Sequence, residues 1–118
     1  MSNYIFNEHP EVIEEGFKPI TQEKSTSKGV IDMLGKDKNG NLVVLELKRR
    51  RANLDAVSQL KRYVDTMKKE TKNLRGILVA PSITENAFNL LKENGMEFKK
   101  INPNKETKKR NHITLKFF

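Results

Sequence analysis

Two short stretches, Gly29-Val-Ile-Asp-Met-Leu34 and Leu45-Glu-Leu-Lys48, decide the fold of this 118-residue chain. Between them, Asp37-Lys-Asn-Gly-Asn41 carries Asn39-Gly40, a strong short-range hairpin signal. The apolar runs Val30–Leu34 and Leu42–Leu47 fit two buried strands. Side chains alternate along a strand, so Glu46 and Lys48 share one face. An acid or a lysine in the middle of a buried strand is unfavourable unless something neutralises it. Asp32, Glu46 and Lys48 are brought together by one hairpin and call for a common explanation. A divalent metal bound by Asp32 and Glu46, with Lys48 beside it, provides one. A structural ion-pair cluster of the same three residues is the alternative.

Working outward, the composition narrows the class. One domain with a modest core is expected from 118 residues. There is no cysteine, which excludes disulfides and thiolate metal sites, and His9 and His112 are too few for a His-rich zinc centre. No apolar run approaches the roughly 20 residues of a membrane span, and no signal peptide is visible, so a cytoplasmic location is the default expectation. The formal net charge of +8 and pI of about 9.8 suit a polyanionic partner. Part of that charge can equally serve solvation and ion pairing.

Taken in order, Ser2 to Gly16 reads as short helical turns, with Pro10 early in a helix through Glu15 and Gly16 as its stop. Phe17 to Glu23 reads as a first strand, with Pro19 placing it near an edge, and Lys24 to Lys28 as a polar turn. After the hairpin, Asn53 is the expected N-cap of a helix over Leu54 to Glu70. Its core stripe is Leu54, Val57, Leu60, Val64 and Met67, with Gln59 and Tyr63 together on one flank. Leu74 to Pro81 is expected to be a buried strand. Ser82 or Thr84 caps a second helix over Glu85 to Asn94, and Met96 to Ile101 forms a last strand. The order predicts a mixed α/β sheet with helices packed on it. Residues 1–101 form the domain; 102–118 form a basic linker and tail.

Asp32-x13-Glu46-x-Lys48 resembles the active-site signature of the PD-(D/E)XK nuclease superfamily. Two carboxylates at that spacing hold Mg²⁺ or Mn²⁺ against a phosphate, and the lysine orients the attacking water or stabilises developing charge. The backbone carbonyl of Leu47 supplies a further oxygen ligand. The likeness extends through Glu46-Leu-Lys-Arg-Arg-Arg-Ala52, Asp55-Ala-Val-Ser-Gln-Leu-Lys-Arg-Tyr63 and Arg75-Gly-Ile-Leu-Val-Ala-Pro-Ser82. Together these resemble the RecB-like nuclease domain of the NucS/EndoMS family over roughly residues 8 to 101.

The resemblance implies a restriction-endonuclease-like fold and metal-dependent cleavage of mismatched or branched DNA in repair, by a homodimer. It implies that Gln59 and Tyr63, a Gln-x3-Tyr pair, line the site. In the family, a further acidic residue lies on a preceding helix; that position falls just before Met1, and Glu14 and Glu15, close to the sheet, are weak candidates to substitute for it. The family's other domain, which precedes this one and supports dimerisation and DNA binding, also lies outside the sequence. Arg49, Arg50 and Arg51 are read as phosphate contacts, with Arg50 on the Lys48 face if the strand continues. The tail His112-Ile-Thr-Leu-Lys-Phe-Phe118 resembles a sliding-clamp-binding peptide for a partner such as PCNA, through His112, Leu115, Phe117 and Phe118. The same residues alternate as an edge strand would, so local packing is the other reading. The alternative function is a non-catalytic DNA- or clamp-binding module on the same fold.

Overall fold

Nine-residue and eight-residue strands joined by a two-residue turn open the sheet: β1 (Lys18–Thr26) and β2 (Gly29–Lys36), closed by the pair Thr26↔Gly29. The computed structural model describes residues 1–102. β3 (Leu42–Leu47), α1 (Leu54–Met67), β4 (Leu74–Ala80), α2 (Glu85–Glu93) and β5 (Glu97–Lys100) follow. The five strands lie in the order β1-β2-β3-β4-β5. β1, β2 and β3 pair antiparallel, while β3, β4 and β5 pair parallel. The two parallel steps require crossovers, and α1 and α2 supply them. This is the mixed, helix-flanked sheet expected from the order of elements.

Several boundaries move. β1 runs on to Thr26, so the turn is Ser27-Lys28 and not the whole of Lys24–Lys28. Polar residues are tolerated there because β1 is an edge strand with a solvated face. Pro19 sits beside a register shift, where its missing N–H is harmless. Val30, read as core, is exposed near the hairpin tip, and Leu54 is 45 % exposed in the first turn of α1. α1 ends at Met67 rather than Glu70, and β5 spans Glu97–Lys100. The expected N-terminal helix is a single π-turn, Tyr4–Glu8, and a single 3-10 turn, Pro10–Val12.

The sheet has a core on each face. On one, Val57, Leu60, Tyr63 and Val64 of α1 and Leu91 of α2 meet Val44 and Leu78. On the other, Ile5, Ile13 and Phe17 of the N-terminal segment cover Met33, Val43, Leu45 and Ile77. Those three residues explain the irregular turns: the segment is shaped by what it plugs and has no helical stripe of its own. Both α-helices are capped as their sequences direct. Asn53 accepts from the Ala56 N–H at 3.3 Å, and Thr84, not Ser82, accepts from the Ala87 N–H at 3.2 Å.

The end of the sheet that carries the β2–β3 turn is pinned by Arg75. Its guanidinium donates to Glu14 (2.7 and 2.8 Å), to Glu97 (2.6 and 2.9 Å) and to Asp37 (3.1 Å). Asp37 also accepts from the Asn39 and Asn41 N–H groups at 2.9 and 2.8 Å, which shapes the turn. Burial opposes ionisation of Asp37, but these donors outweigh it and bring its carboxyl down to about 2. Hydrogen bonds from Arg75 lower Glu14 as well. Glu14 therefore belongs to this ion cluster and not to the Asp32 end.

Two outcomes test this account. Asp37 and Glu14 have folded pKa values depressed below the ordinary 3.8 and 4.5. Their stabilisation is complete above that range and is lost as pH falls toward about 2. Urea midpoints should drop over this window, and Asp37→Asn should flatten the drop. Separately, a Cβ on Gly35 would lie 2.4 Å from the Phe17 ring and 2.7 Å from the Lys18 carbonyl oxygen. Gly35→Ala should lower stability by about 1–3 kcal/mol in the same measurement.

Candidate active site

Both ladders of β2 skip the same residue. The β1–β2 register passes from Gln22↔Met33 to Lys24↔Ile31 without a pair at Asp32. The β2–β3 register stops at Met33↔Leu45. Ile31 packs in the helix-side core and Met33 in the opposite one, although residues two apart on a regular strand share a face. The strand therefore breaks its alternation at Asp32. The Asp32 carboxylate fills the gap by accepting the Leu47 N–H at 2.8 Å.

Glu46 lies beside it. Its side chain is 3 % exposed, and its Oε2 has no hydrogen-bond partner among the described residues. Burial first, then the proton-sharing contact with Asp32 and its charge, push the Glu46 carboxyl up to about 9; the Lys48 charge works in the opposite direction. Alone, Glu46 is therefore neutral near pH 7 and holds a proton against Asp32. A buried, orphaned carboxylate oxygen next to a second carboxylate is a donor set that suits a hard cation. Among the described residues, however, no three His, Asp or Glu side chains converge at ligand spacing.

The end of β3 places the cations. The Lys48 N–H donates to Val79 O at 2.8 Å, and the Ala52 N–H to Ser82 O at 2.9 Å. The loop Lys48–Arg51 is thus tied at both ends to the β4 side, beyond the carboxyl ends of two parallel strands. Open α/β sheets place their ligand crevices at such ends. The strand stops at Leu47, so the alternation that would align Arg50 with Lys48 does not continue. Arg49 instead lines a cleft of about 300 Å³ with Met1, Ser2, Glu23, Asp32 and Leu47. A second hollow of about 310 Å³ is lined by Lys48, all three arginines and the Asn53 cap. Arg51 is further held by its Nε donating to Ser82 Oγ at 3.2 Å.

Gln59 and Tyr63 pair with each other, Gln59 Nε2 donating to the Tyr63 hydroxyl at 2.7 Å. Tyr63 is 1 % exposed, and its hydroxyl oxygen lies 2.9 Å from where a Cβ on Gly29 would be. The pair thereby packs α1 against the start of β2, three residues before Asp32. Among the described residues it makes no hydrogen bond to Asp32, Glu46 or Lys48. His112, Leu115, Phe117 and Phe118 lie outside the described residues.

Sequence reading missed Glu23, which shares the cleft with Asp32. The two-residue turn Ser27-Lys28 was the signal. Counting back from it sets Glu23 opposite Asp32, whereas a turn drawn from Lys24 to Lys28 hides the register.

A family model for the endonuclease NucS C-terminal domain matches residues 1–118. The endonuclease NucS of Pyrococcus abyssi is 59 % identical over 121 residues, which is 100 % of this chain and 48 % of the relative. That of Methanocaldococcus jannaschii is 54 % identical over 111 residues, 92 % of this chain and 42 % of the relative. A solved EndoMS–dsDNA complex superposes with a TM-score of 0.83 at 54 % identity, over 87 % of this chain and 43 % of the other. The crystal structure of a repair endonuclease from P. abyssi gives a TM-score of 0.83 at 60 % identity, over 87 % and 46 %. The chain spans a little under half the length of the curated relatives it matches.

The protonated Glu46 has a stability signature. Its folded pKa of about 9 lies above the ordinary 4.5, so its contribution is full below about 4.5 and is lost as pH rises toward 9. Glu46→Gln removes that loss. Without divalent ions, the variant should exceed the parent by on the order of 2 kcal/mol at pH 8 and lose that margin by pH 5. Thermal melts at the two pH values read the difference; an equal margin at both would contradict the shift.

Proposed function

This chain belongs to the NucS endonuclease family, whose C-terminal domain model matches residues 1–118, and on that premise we propose that it is a metal-dependent DNA endonuclease domain. Its reaction is hydrolysis of phosphodiester bonds, with mismatched or branched duplexes as substrates and DNA repair as the setting. The observation that carries the reading is the buried, unpartnered Glu46 oxygen set against Asp32. A non-catalytic module has no use for that pair, whereas hard carboxylate oxygens are the donors that Mg²⁺ or Mn²⁺ takes.

Asp32, Glu46 and the Leu47 carbonyl hold the cation in this reading. When bound, it activates a water and offsets charge on the scissile phosphate. The chain's own groups supply the rest. Lys48, whose charge already acts on Glu46, orients the attacking water. Arg49, in the Asp32 cleft, grips the phosphate under attack; Arg50 and Arg51, around the neighbouring hollow, grip the backbone beside it. Tyr63 and Gln59 position β2 rather than touch the reacting atoms, through the Gly29 contact. Water is the nucleophile, so no covalent intermediate forms.

Double-stranded DNA as the polyanion is supported by the net charge of +8 and by the neighbour solved with dsDNA. Cutting both strands of a duplex takes two such sites, so the proposal includes a second copy of the chain. For the tail from His112 to Phe118, the resemblance to a sliding-clamp-binding peptide supports clamp binding, with local packing as the other reading.

The test is cleavage of labelled mismatched, branched and plain duplexes with Mg²⁺ or Mn²⁺. Asp32→Ala and Glu46→Ala should each lower the rate by about a thousandfold or more, in line with removal of a central electrostatic group. Folded protein that binds DNA, cuts nothing, and is unchanged in binding by Asp32→Ala would favour the non-catalytic module. To hold a cation, Glu46 would have to give up its proton, whose pKa is about 9. Apparent cation affinity, read from the concentration dependence of cleavage, should therefore rise close to tenfold per pH unit between about 6 and 8.

A further inference from the structure

The β1–β2 hairpin is longer than the sheet it belongs to. Its ladder runs out to Thr26↔Gly29, whereas the β2–β3 ladder stops at Met33↔Leu45. Beyond Leu47 the chain turns toward β4, with the Lys48 N–H bonded to Val79 O at 2.8 Å. No third strand therefore flanks residues 24–26 and 29–31. The arm they form, residues 24–31, projects from the Asp32 end of the sheet. Four residues at about 3.3 Å each put the Lys28 backbone roughly 13 Å beyond Asp32.

A bare two-stranded ribbon is marginally stable in water, and this one is braced. At the tip, Thr26 Oγ1 donates to Gly29 O at 2.7 Å and accepts the Lys28 N–H at 3.1 Å. On the α1 side, Ile31 is buried, and the Tyr63 hydroxyl oxygen stands 2.9 Å from where a Cβ on Gly29 would be. The bracing serves little core. Val30 is 47 % exposed, and Lys24, Ser25, Ser27 and Lys28 are exposed as well. Lys24 and Lys28 are the arm's only charges, and neither makes an ion pair among the described residues. Arg49 lines the cleft at the arm's root with Asp32, and Arg50 and Arg51 line the hollow beyond it. Asp32 is thus flanked by cations from two separate elements, a charge pattern complementary to a polyanion that lies across both.

We propose that the arm of residues 24–31 lies in the major groove of duplex DNA, beside the phosphate held at Asp32. This rests on the nuclease reading of the proposed function and adds a DNA-contacting element that the Asp32, Glu46, Lys48 pattern and the arginine loop omit. Width selects the groove. Two strands about 4.8 Å apart, with their side chains, fill a major groove roughly 12 Å wide and are too broad for a minor groove of about 6 Å. Length agrees, because a reach of roughly 13 Å covers about four base pairs at about 3.4 Å each. Cross-strand partners share a face. Ser25 and Val30 pair on the face turned from α1 and meet the base edges, where a valine suits a thymine methyl. Lys24, on the other face with Ile31, and Lys28, at the tip, reach the phosphates that rim the groove.

The experiment is fluorescence anisotropy of a labelled mismatched duplex titrated with the full chain in EDTA. Lys24→Ala with Lys28→Ala should weaken binding on the order of tenfold and lower the log–log salt slope by about 2. Lys68→Ala with Lys69→Ala removes the same charge at the far end of α1 and should stay within twofold of the parent. Glucosylated hydroxymethylcytosines, which fill the major groove, should erase the gap between the parent and the arm variant. Netropsin, which fills the minor groove, should leave that gap in place. An arm variant no weaker than the Lys68 and Lys69 control, or a gap erased by netropsin and kept on glucosylated DNA, would overturn the arm and leave the nuclease reading standing. A parent that neither binds nor cuts duplex DNA would overturn both.

Discussion

The break in β2 at Asp32 is the constraint on which the site depends. A regular ladder would pair Asp32 with its neighbours through the backbone and leave its carboxylate pointing from one face. Here the ladder is interrupted, and the carboxylate takes over one of its duties by accepting the Leu47 N–H. That bond holds the end of β3 against β2, so Glu46 is presented to Asp32 while buried under the helix side of the sheet. The neutral state of Glu46 follows first from its own burial and then from the Asp32 carboxyl beside it.

The two ends of the sheet are built on opposite principles. At the β2–β3 turn, Arg75 binds Glu14, Asp37 and Glu97, and the Asp37 oxygens are further bonded to the turn. Charge is satisfied there, and the Asp37 and Glu14 carboxyls are driven low. At the other end, a carboxylate oxygen is left without a partner and three arginines stand exposed on a tethered loop. Stability is concentrated at one end and unsatisfied chemistry at the other. The parallel crossovers place α1 across both, so Tyr63 can buttress Gly29 near the site while Met67 packs toward the far end.

Much of this was legible from the residues. The Asn39-Gly40 turn, the apolar runs around it and the 3.6-residue stripe of Val57, Leu60, Val64 and Met67 foretold the hairpin and α1, because each is a local preference that the fold does not oppose. The pairing of Gln59 with Tyr63 follows from their separation of four on a helix. What failed did so where burial was decided from elsewhere. Leu54 keeps the helical period but falls on the first turn of α1 and is exposed. Glu14, close to the sheet in sequence, does not substitute for the family's further acid, because Arg75, sixty-one positions away, takes it. Residues Pro10 to Glu15 form no more than a single 3-10 turn, Pro10–Val12, because Ile13 and Phe17 are drawn under Met33 and Val43.

By itself, the sequence determined the element order, the hairpin that brings Asp32 toward Glu46, the caps and the basic loop after β3. These rest on turn chemistry, periodicity and spacing, which act within a few residues. Only the tertiary structure decided that Asp32 sits at a double gap in the ladders, that Glu46 lacks a partner, and that Glu23 joins the cleft. Those are consequences of register between strands and of how much water a neighbour excludes. Neither quantity belongs to any one segment of the chain.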